Sequence, residues 1–227
     1  MNLCVIPARI GSKRIPKKNI KIFHGKPMIA WAIDNAKKTK LFEKIIVSTD
    51  SLEIKKIAED YGAECPFLRP DELANDNANT SSVIKHSVEW FNKKKIIFDY
   101  ICCIYPCTPM LSSSVIKKGL EAIKNNSSKE ISFAAGQYRH PIQRSFSLDQ
   151  NNTPKLNFPK EFLSRSQDIE KSYYDAGQFY WASNEFWQKK NIYFDNGSIA
   201  IKLPEKLSID IDEQDDWDYI EKIFFEK

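Results

Sequence analysis

Two groups of charged residues, one near each end of the chain, carry the side chains that handle phosphate. The first is Arg9-Ile10-Gly11-Ser12-Lys13-Arg14-Ile15-Pro16-Lys17-Lys18-Asn19, directly after the apolar run Leu3 to Ala8. Arg9, Lys13 and Lys18 have the charge and reach to clamp a triphosphate and to neutralise pyrophosphate as it leaves. Gly11 is expected to take unusual dihedrals that turn backbone N–H groups toward an anion. A solvated basic loop is the alternative. The second group is Ser208-Ile209-Asp210-Ile211-Asp212. Read as a strand, it puts Ile209 and Ile211 on one face and Asp210 and Asp212 side by side on the other. Neighbouring carboxylates repel unless a cation or proton sits between them. Mg²⁺ is the natural cation where phosphate is also bound. Here the alternative is an acidic edge leading into a helix N-terminus. A fold that brings the two groups together creates a metal-assisted phosphate-transfer site.

Two further segments have recognition chemistry. Ile104-Tyr105-Pro106-Cys107-Thr108-Pro109-Met110 ends an apolar run in two spaced prolines, a rigid extended loop suited to holding a sugar or base. Cys107 has no histidine near it in sequence and reads as inert. In Tyr173-Tyr174-Asp175-Ala176-Gly177-Gln178-Phe179-Tyr180-Trp181, aromatic and hydrogen-bonding residues alternate. That pattern fits a sugar pocket and core packing equally. The dinucleotide fingerprint G-x-G-x-x-G is absent. Gly25-Lys26 lacks the glycine and hydroxyl residue of a phosphate-binding Walker loop, since Ile20 and Pro27 stand in those places.

The elements that must position these residues follow from apolar patterning. Leu3–Ala8, Lys44–Thr49, Tyr100–Tyr105 and Ile131–Ala135 read as buried strands, and Glu64–Leu68 as a brief one. Between them lie helical patterns: one starting at Pro27, one introduced by Asp50 and Glu53 and closed by Gly62, one over 80–94 capped by Thr80 or Ser81, and one capped by Ser112 or Ser113. This alternation predicts an α/β fold with a mainly parallel sheet flanked by helices, and ligands bound beyond the carboxyl ends of the strands. From about 137 to 171 the pattern breaks down, and Phe146, Leu148, Phe158, Phe162 and Leu163 suggest an arm packing on another subunit rather than a linker. Strands resume at Gln178–Ala182 and Ser198–Leu203, and a last helix from about Glu213 turns Trp217, Ile220 and Phe224 inward.

The 227 residues suit a single domain, 1–227, with the arm as an insertion. No apolar run reaches the roughly 20 residues of a membrane span. An odd number of cysteines, five, with no C-x-x-C spacing predicts free thiols in a reducing, cytoplasmic compartment. The net charge of +4 is mild, and only Phe23 lies among the basic residues, so nucleic acid is a poor expectation.

In these segments the chain resembles the CMP-sialic acid synthetase family of nucleotidyltransferases, nearly end to end. The opening Ile6-Pro7-Ala8-Arg9-Ile10-Gly11-Ser12-Lys13-Arg14-Ile15-Pro16-Lys17-Lys18-Asn19 carries most of the resemblance. Gly25-Lys26-Pro27, Ser48-Thr49-Asp50, Arg69-Pro70-Asp71-Glu72-Leu73-Ala74 and Ile209-Asp210-Ile211-Asp212 support it. The resemblance implies a Rossmann-like fold of the nucleotide-diphospho-sugar transferase type. It implies nucleotide contacts from Arg9, Gly11, Ser12, Lys13, Lys18, Asn19, Asp76 and Thr80, with Mg²⁺ on Asp210 and Asp212. It also implies a homodimer in which an arm reaches over the other subunit's sugar site. Where sialic acid enzymes have a Q-P-T-S-P-L-R loop, this chain reads Tyr105-Pro106-Cys107-Thr108-Pro109-Met110-Leu111. That form, with Tyr173 to Gln178, is most similar to the branch acting on pseudaminic acid. It implies CTP and an acidic nine-carbon sugar as substrates, with Tyr105, Asp175, Gln178 and Tyr180 as candidate sugar contacts. Arg139 and Arg165 are candidates to meet the sugar carboxylate, against the alternative of surface ion pairs. Another acidic sugar (N-acetylneuraminic, legionaminic or octulosonic acid) is the closest competing substrate, and a non-catalytic nucleotide- or RNA-binding protein a distant reading.

Overall fold

The computed structural model describes residues 1–226. Strand β1 (Asn2–Pro7) is followed by a two-residue ribbon, β2 (Ile22–Phe23) and β3 (Lys26–Pro27), and then helix α1 (Met28–Thr39). Next come β4 (Lys44–Ser48), α2 (Leu52–Asp60), α3 (Thr80–Lys93), β5 (Tyr100–Ile104), α4 (Ser113–Lys124) and β6 (Ile131–Gln137). A hairpin of β7 (Phe146–Leu148) and β8 (Pro154–Leu156) precedes the long strand β9 (Tyr173–Ser183). Helix α5 (Asn184–Lys189), strand β10 (Ser198–Lys202) and helix α6 (Gln214–Ile223) complete the chain.

Six strands form the main sheet in the order β10-β6-β9-β5-β1-β4. β1 is parallel to β4 and β5, and β10 to β6, while β9 is antiparallel to both of its neighbours. The sheet is thus mainly parallel with one reversed strand near its middle. Residues of the buried strands alternate between two helix layers. Cys4, Ile6, Cys102 and Ile104 pack with α1, α2 and α4, and Leu3, Val5, Ile101 and Cys103 pack with α3 and α5. A third cluster joins Ile15 of the basic segment to Ile211 and to Trp217, Ile220 and Ile223 of α6.

Helix starts differ from expectation in an instructive way. Ser51, not Asp50, caps α2, and Asn79, not Thr80 or Ser81, caps α3. Asp50 is thereby free to accept the Ile10 N–H at 3.1 Å, and Thr80 turns its hydroxyl toward Tyr105. Ser112 caps α4, and Glu213 starts α6 in a capping box with Asp216. Glu64–Leu68 makes only an isolated bridge from Glu64 to Ile46. Ser208–Asp212 is not a strand, since the segment forms no ladder. Its side chains still divide as expected, with Ile209 and Ile211 in the α6 cluster and both aspartates in the cleft. In the 137–171 stretch, Phe146, Leu148 and Leu163 are exposed on and beside the β7–β8 hairpin.

Candidate active site

The loop after β1, the connection from α2 into α3 and the loop after β5 surround a cleft of about 560 Å³, and the segment before α6 closes it. Arg9, Ser12, Lys13, Lys18 and Asn19 come from the first loop, Asp76 and Thr80 from the second, Tyr105 from the third, and Asp210 and Asp212 from the segment before α6. The basic loop and the twin aspartates therefore share one cavity. Their meeting is built on burial of Ile15 (1 % exposed) beside Ile211 (0 %), each side chain contributing about 2 kcal/mol of hydrophobic burial.

The cations of the loop are held by carboxylates. Arg9 and Lys13 both bond Asp76, at 2.6 and 2.5 Å, and the bonds from Lys13 and Arg9 depress the Asp76 pKa. Lys18 reaches across to the Ile211 carbonyl and lies 3.3 Å from Asp212. Arg14 sits 2.8 Å from Asp212. An anion with several oxygens can replace these carboxylates on the same donors. Asn19 is buried, its amide donating to the Arg9 carbonyl at 2.8 Å and its oxygen accepting from Cys107. It shapes the loop as well as lining the cleft.

Asp210 and Asp212 supply the hard oxygen donors that suit a divalent cation beside phosphate. Asp210 keeps solvent contact, but withdrawal from water on its protein side, and then the neighbouring Asp212, raise its pKa to about 6. A carboxylate pair that Arg14 and Lys18 relieve only in part is what a cation stabilises. The remaining ligands of such an ion have to come from nucleotide phosphates and water, because no cluster of three or more acidic, histidine or cysteine ligands occurs among the described residues.

Other expected site residues are placed differently. Gly11 is exposed and outside the cleft lining, it does not have a positive φ, and a Cβ there would meet nothing within 4 Å. The loop turns instead at Lys17, with φ of 51°. Gln178 is 2 % exposed, and its amide donates to the Leu207 carbonyl, so it braces the chain leading to Asp210 from behind. Tyr180 is equally buried and donates to Asp175, which also accepts the Gly177 N–H. Burial, foremost, holds the hydroxyls of Tyr105 and Tyr180 protonated. Tyr105 faces the cleft and bonds Thr80 at 2.6 Å. Arg139 and Arg165 are exposed and outside the cleft, with Arg139 3.9 Å from Glu205. Cys107 is buried, and burial pushes its thiol up to about 12, which leaves it inert.

Arg69 has no place among the sequence-derived site residues, although it lines the cleft. Its guanidinium is buried, donates to the Ser48 hydroxyl and carbonyl, and is lowered to about 10 by burial. Its one sequence signal was the Arg69-Pro70 segment, which gives no hint that the charge points inward. Arg14 likewise stood in the basic segment without an assigned contact.

Comparisons with known proteins give the family and the fold. The cytidylyltransferase family profile matches residues 3–226. The chain is 40% identical to the pseudaminic acid cytidylyltransferase of Campylobacter jejuni subsp. jejuni serotype O:23/36 (strain 81-176), covering 98% of this chain and 96% of that protein. It is 31% identical to the CMP-N,N'-diacetyllegionaminic acid synthase of Legionella pneumophila, over 97% and 95% of the two chains. In fold it is similar to the solved structure of a CMP:2-keto-3-deoxy-manno-octonic acid synthetase complexed with CTP, with a TM-score of 0.71 at 14% identity, covering 99% of this chain and 98% of that one. By sequence, fold and the pairing of a basic loop with twin aspartates, the chain belongs to the cytidylyltransferase family of nucleotidyltransferase enzymes.

Proposed function

We propose that this enzyme transfers CMP from CTP to the anomeric hydroxyl of pseudaminic acid and releases pyrophosphate. The observation that carries the reading is the single cleft joining Lys13 and Lys18 to Asp210 and Asp212. The full-length likeness to a pseudaminic acid cytidylyltransferase supports the choice of sugar. In this reading the hydroxyl oxygen attacks the α-phosphorus in line and releases its proton to solvent, the bond from the α-phosphorus to the bridging oxygen breaks, and the β,γ-diphosphate departs as pyrophosphate. Arg9, Lys13 and Lys18 exchange their carboxylate partners for phosphate oxygens and stabilise charge as it moves to the leaving group. Asp210 and Asp212 would hold Mg²⁺, which would supply neutralisation of phosphate charge and polarisation of the reacting groups. Tyr105, which lines the cleft and is tied to Thr80, is assigned in this reading to the boundary between nucleotide and sugar.

The substrate prediction is tested by measuring pyrophosphate release with CTP across pseudaminic, legionaminic, N-acetylneuraminic and octulosonic acids. Pseudaminic acid is expected to give a kcat/KM at least about tenfold above any other, because buried polar groups matched to one set of hydroxyls reject the rest. Equal or better turnover of legionaminic acid would move the assignment to that sugar, a reading for which the Legionella relative is the specific support.

We further propose a homodimer in the cytoplasm. The five buried, unpaired cysteines support a reducing compartment, and among the described residues no helix is long and apolar enough to cross a membrane. The exposed Phe146, Leu148, Phe158 and Leu163 supply an apolar surface on the arm suited to a second copy. In a dimer, Arg139 or Arg165 on that arm could serve the second copy's sugar site. Phe146→Glu combined with Leu148→Glu is expected to shift sedimentation from dimer to monomer and to raise KM for the sugar more than KM for CTP. A wild-type protein that sediments as a monomer at micromolar concentration would refute the dimer.

A further inference from the structure

The segment carrying the twin aspartates has no ladder of its own, so something else must fix it. Three contacts from β9 do so. The Tyr174 hydroxyl bonds that of Ser208 at 2.9 Å, Gln178 donates to the Leu207 carbonyl, and Gly177 lies directly under the Asp210 carboxylate. Between Asp175 and Tyr180, four residues of β9 oppose the single Ala134 of β6, a bulge in the ladder. Asp175 accepts the Gly177 N–H at 3.1 Å inside this bulge, and Gly177 takes φ of 58°. That left-handed conformation favours glycine on backbone grounds alone. Space makes a second and independent demand. A Cβ on Gly177 would stand 2.6 Å from Asp210 Oδ2 and 3.2 Å from its Cγ. The first is closer than any Cβ contact and the second is tight, so the carboxylate would have to leave its place. Bulges next to active sites commonly re-aim a side chain, and this one leaves a bare patch of backbone on which a carboxylate rests.

We propose that Gly177 is a positioning residue for Asp210: its missing side chain sets the orientation in which the carboxylate faces the cleft and pairs with Asp212 to take a divalent cation. The proposal rests on the assignment of Asp210 and Asp212 as Mg²⁺ ligands. Gly177 touches no substrate in this account and acts only through Asp210.

The test uses the full chain and reads binding apart from turnover. CTP binding is measured by calorimetry with and without Mg²⁺, in the absence of sugar, for wild type, Gly177→Ala, Gly177→Asn and Asp210→Asn. Gly177→Ala is expected to leave metal-free CTP binding unchanged, to raise the Mg²⁺ concentration for half-maximal enhancement about tenfold, and to lower kcat with little change in KM for the sugar. Gly177→Asn keeps the Cβ in a residue that tolerates the left-handed region better. It is expected to regain part of the lost melting temperature, the backbone share, but not Mg²⁺ coupling. The cost of Gly177→Ala in melting temperature is also expected to shrink when Asp210 is first changed to Ala, since the atom that the Cβ meets is gone. This comparison decides the matter even if Gly177→Ala alone folds poorly. An equal cost in both backgrounds, or wild-type Mg²⁺ coupling in both Gly177 variants while Asp210→Asn loses it, would overturn the proposal alone. Retained Mg²⁺ coupling in Asp210→Asn would instead remove the metal assignment beneath it.

Discussion

Asp210→Asn is expected to lower Mg²⁺-dependent pyrophosphate release by at least about 10³-fold while making the protein harder to melt. The loss follows from the chemistry of the pair. An amide carries no charge, so the cation that draws phosphate charge onto itself would be held by Asp212 alone, and Asp212 is already shared with Arg14 and Lys18. The gain follows from linkage. Asp210 titrates near 6 in the folded protein, against about 4 for an aspartate in an unfolded chain. Between those values the folded state keeps a proton that the unfolded state has lost, so stability falls as pH rises through the window and stays at the lower level above it. Asparagine removes that penalty. The variant is expected to melt above wild type at pH 8, and the gap to close as pH drops below about 4. Circular dichroism melts at both pH values and a pyrophosphate assay check the two halves separately. Near-normal turnover with saturating Mg²⁺ would show that Asp210 is no ligand.

Lys18→Met is expected to reduce kcat by about 10²- to 10³-fold, the loss associated with removing one preorganised donor from a developing negative charge. Lys18 is set apart from its neighbours by burial: its side chain is 19% exposed, against 80% for Lys13 and 55% for Arg14. A charge withdrawn from water acts on a phosphate with less screening. Like Arg14, Lys18 meets Asp212, and it adds a bond to the Ile211 backbone carbonyl between the twin aspartates. Lys18→Arg is expected not to restore activity, because the wider planar fork cannot occupy the slot of a compact ammonium. Lys13→Met, by contrast, removes an exposed side chain and is expected to act chiefly through the affinity for CTP. Comparable losses in kcat for both variants would contradict this ranking.

Much of the cleft was legible because its two halves are written in short stretches of strong composition. A run of basic residues after a buried strand, and two aspartates flanking an isoleucine, are local facts, and local facts survive translation into structure. What stayed hidden depends on contacts made at long range. β9 looks like any buried strand, and nothing within Gln178 to Ala182 encodes that it runs against both of its neighbours. Gln178 and Tyr180 have the chemistry of sugar contacts, yet with only 2% of each exposed they serve as braces. Ser208–Asp212 keeps the inward and outward division expected of a strand because Ile211 finds the α6 cluster, not because a ladder imposes it. Gly11, read as the pivot of the basic loop, is a bystander to a turn made at Lys17. Caps shifted by a single residue, at Ser51 and Asn79, freed Asp50 and Thr80 for contacts that sequence could not assign.

The joint packing of Ile15 with Ile211 and α6 also has a bearing on synthesis. Residues 1 to 135 can build β1, β4, β5 and their helices as they leave the ribosome, but the cleft they frame has no floor of carboxylates until the segment from Ser208 through α6 emerges and folds back. A nascent chain can therefore have folded its first half and still be unable to turn over CTP until Ile211 has docked beside Ile15.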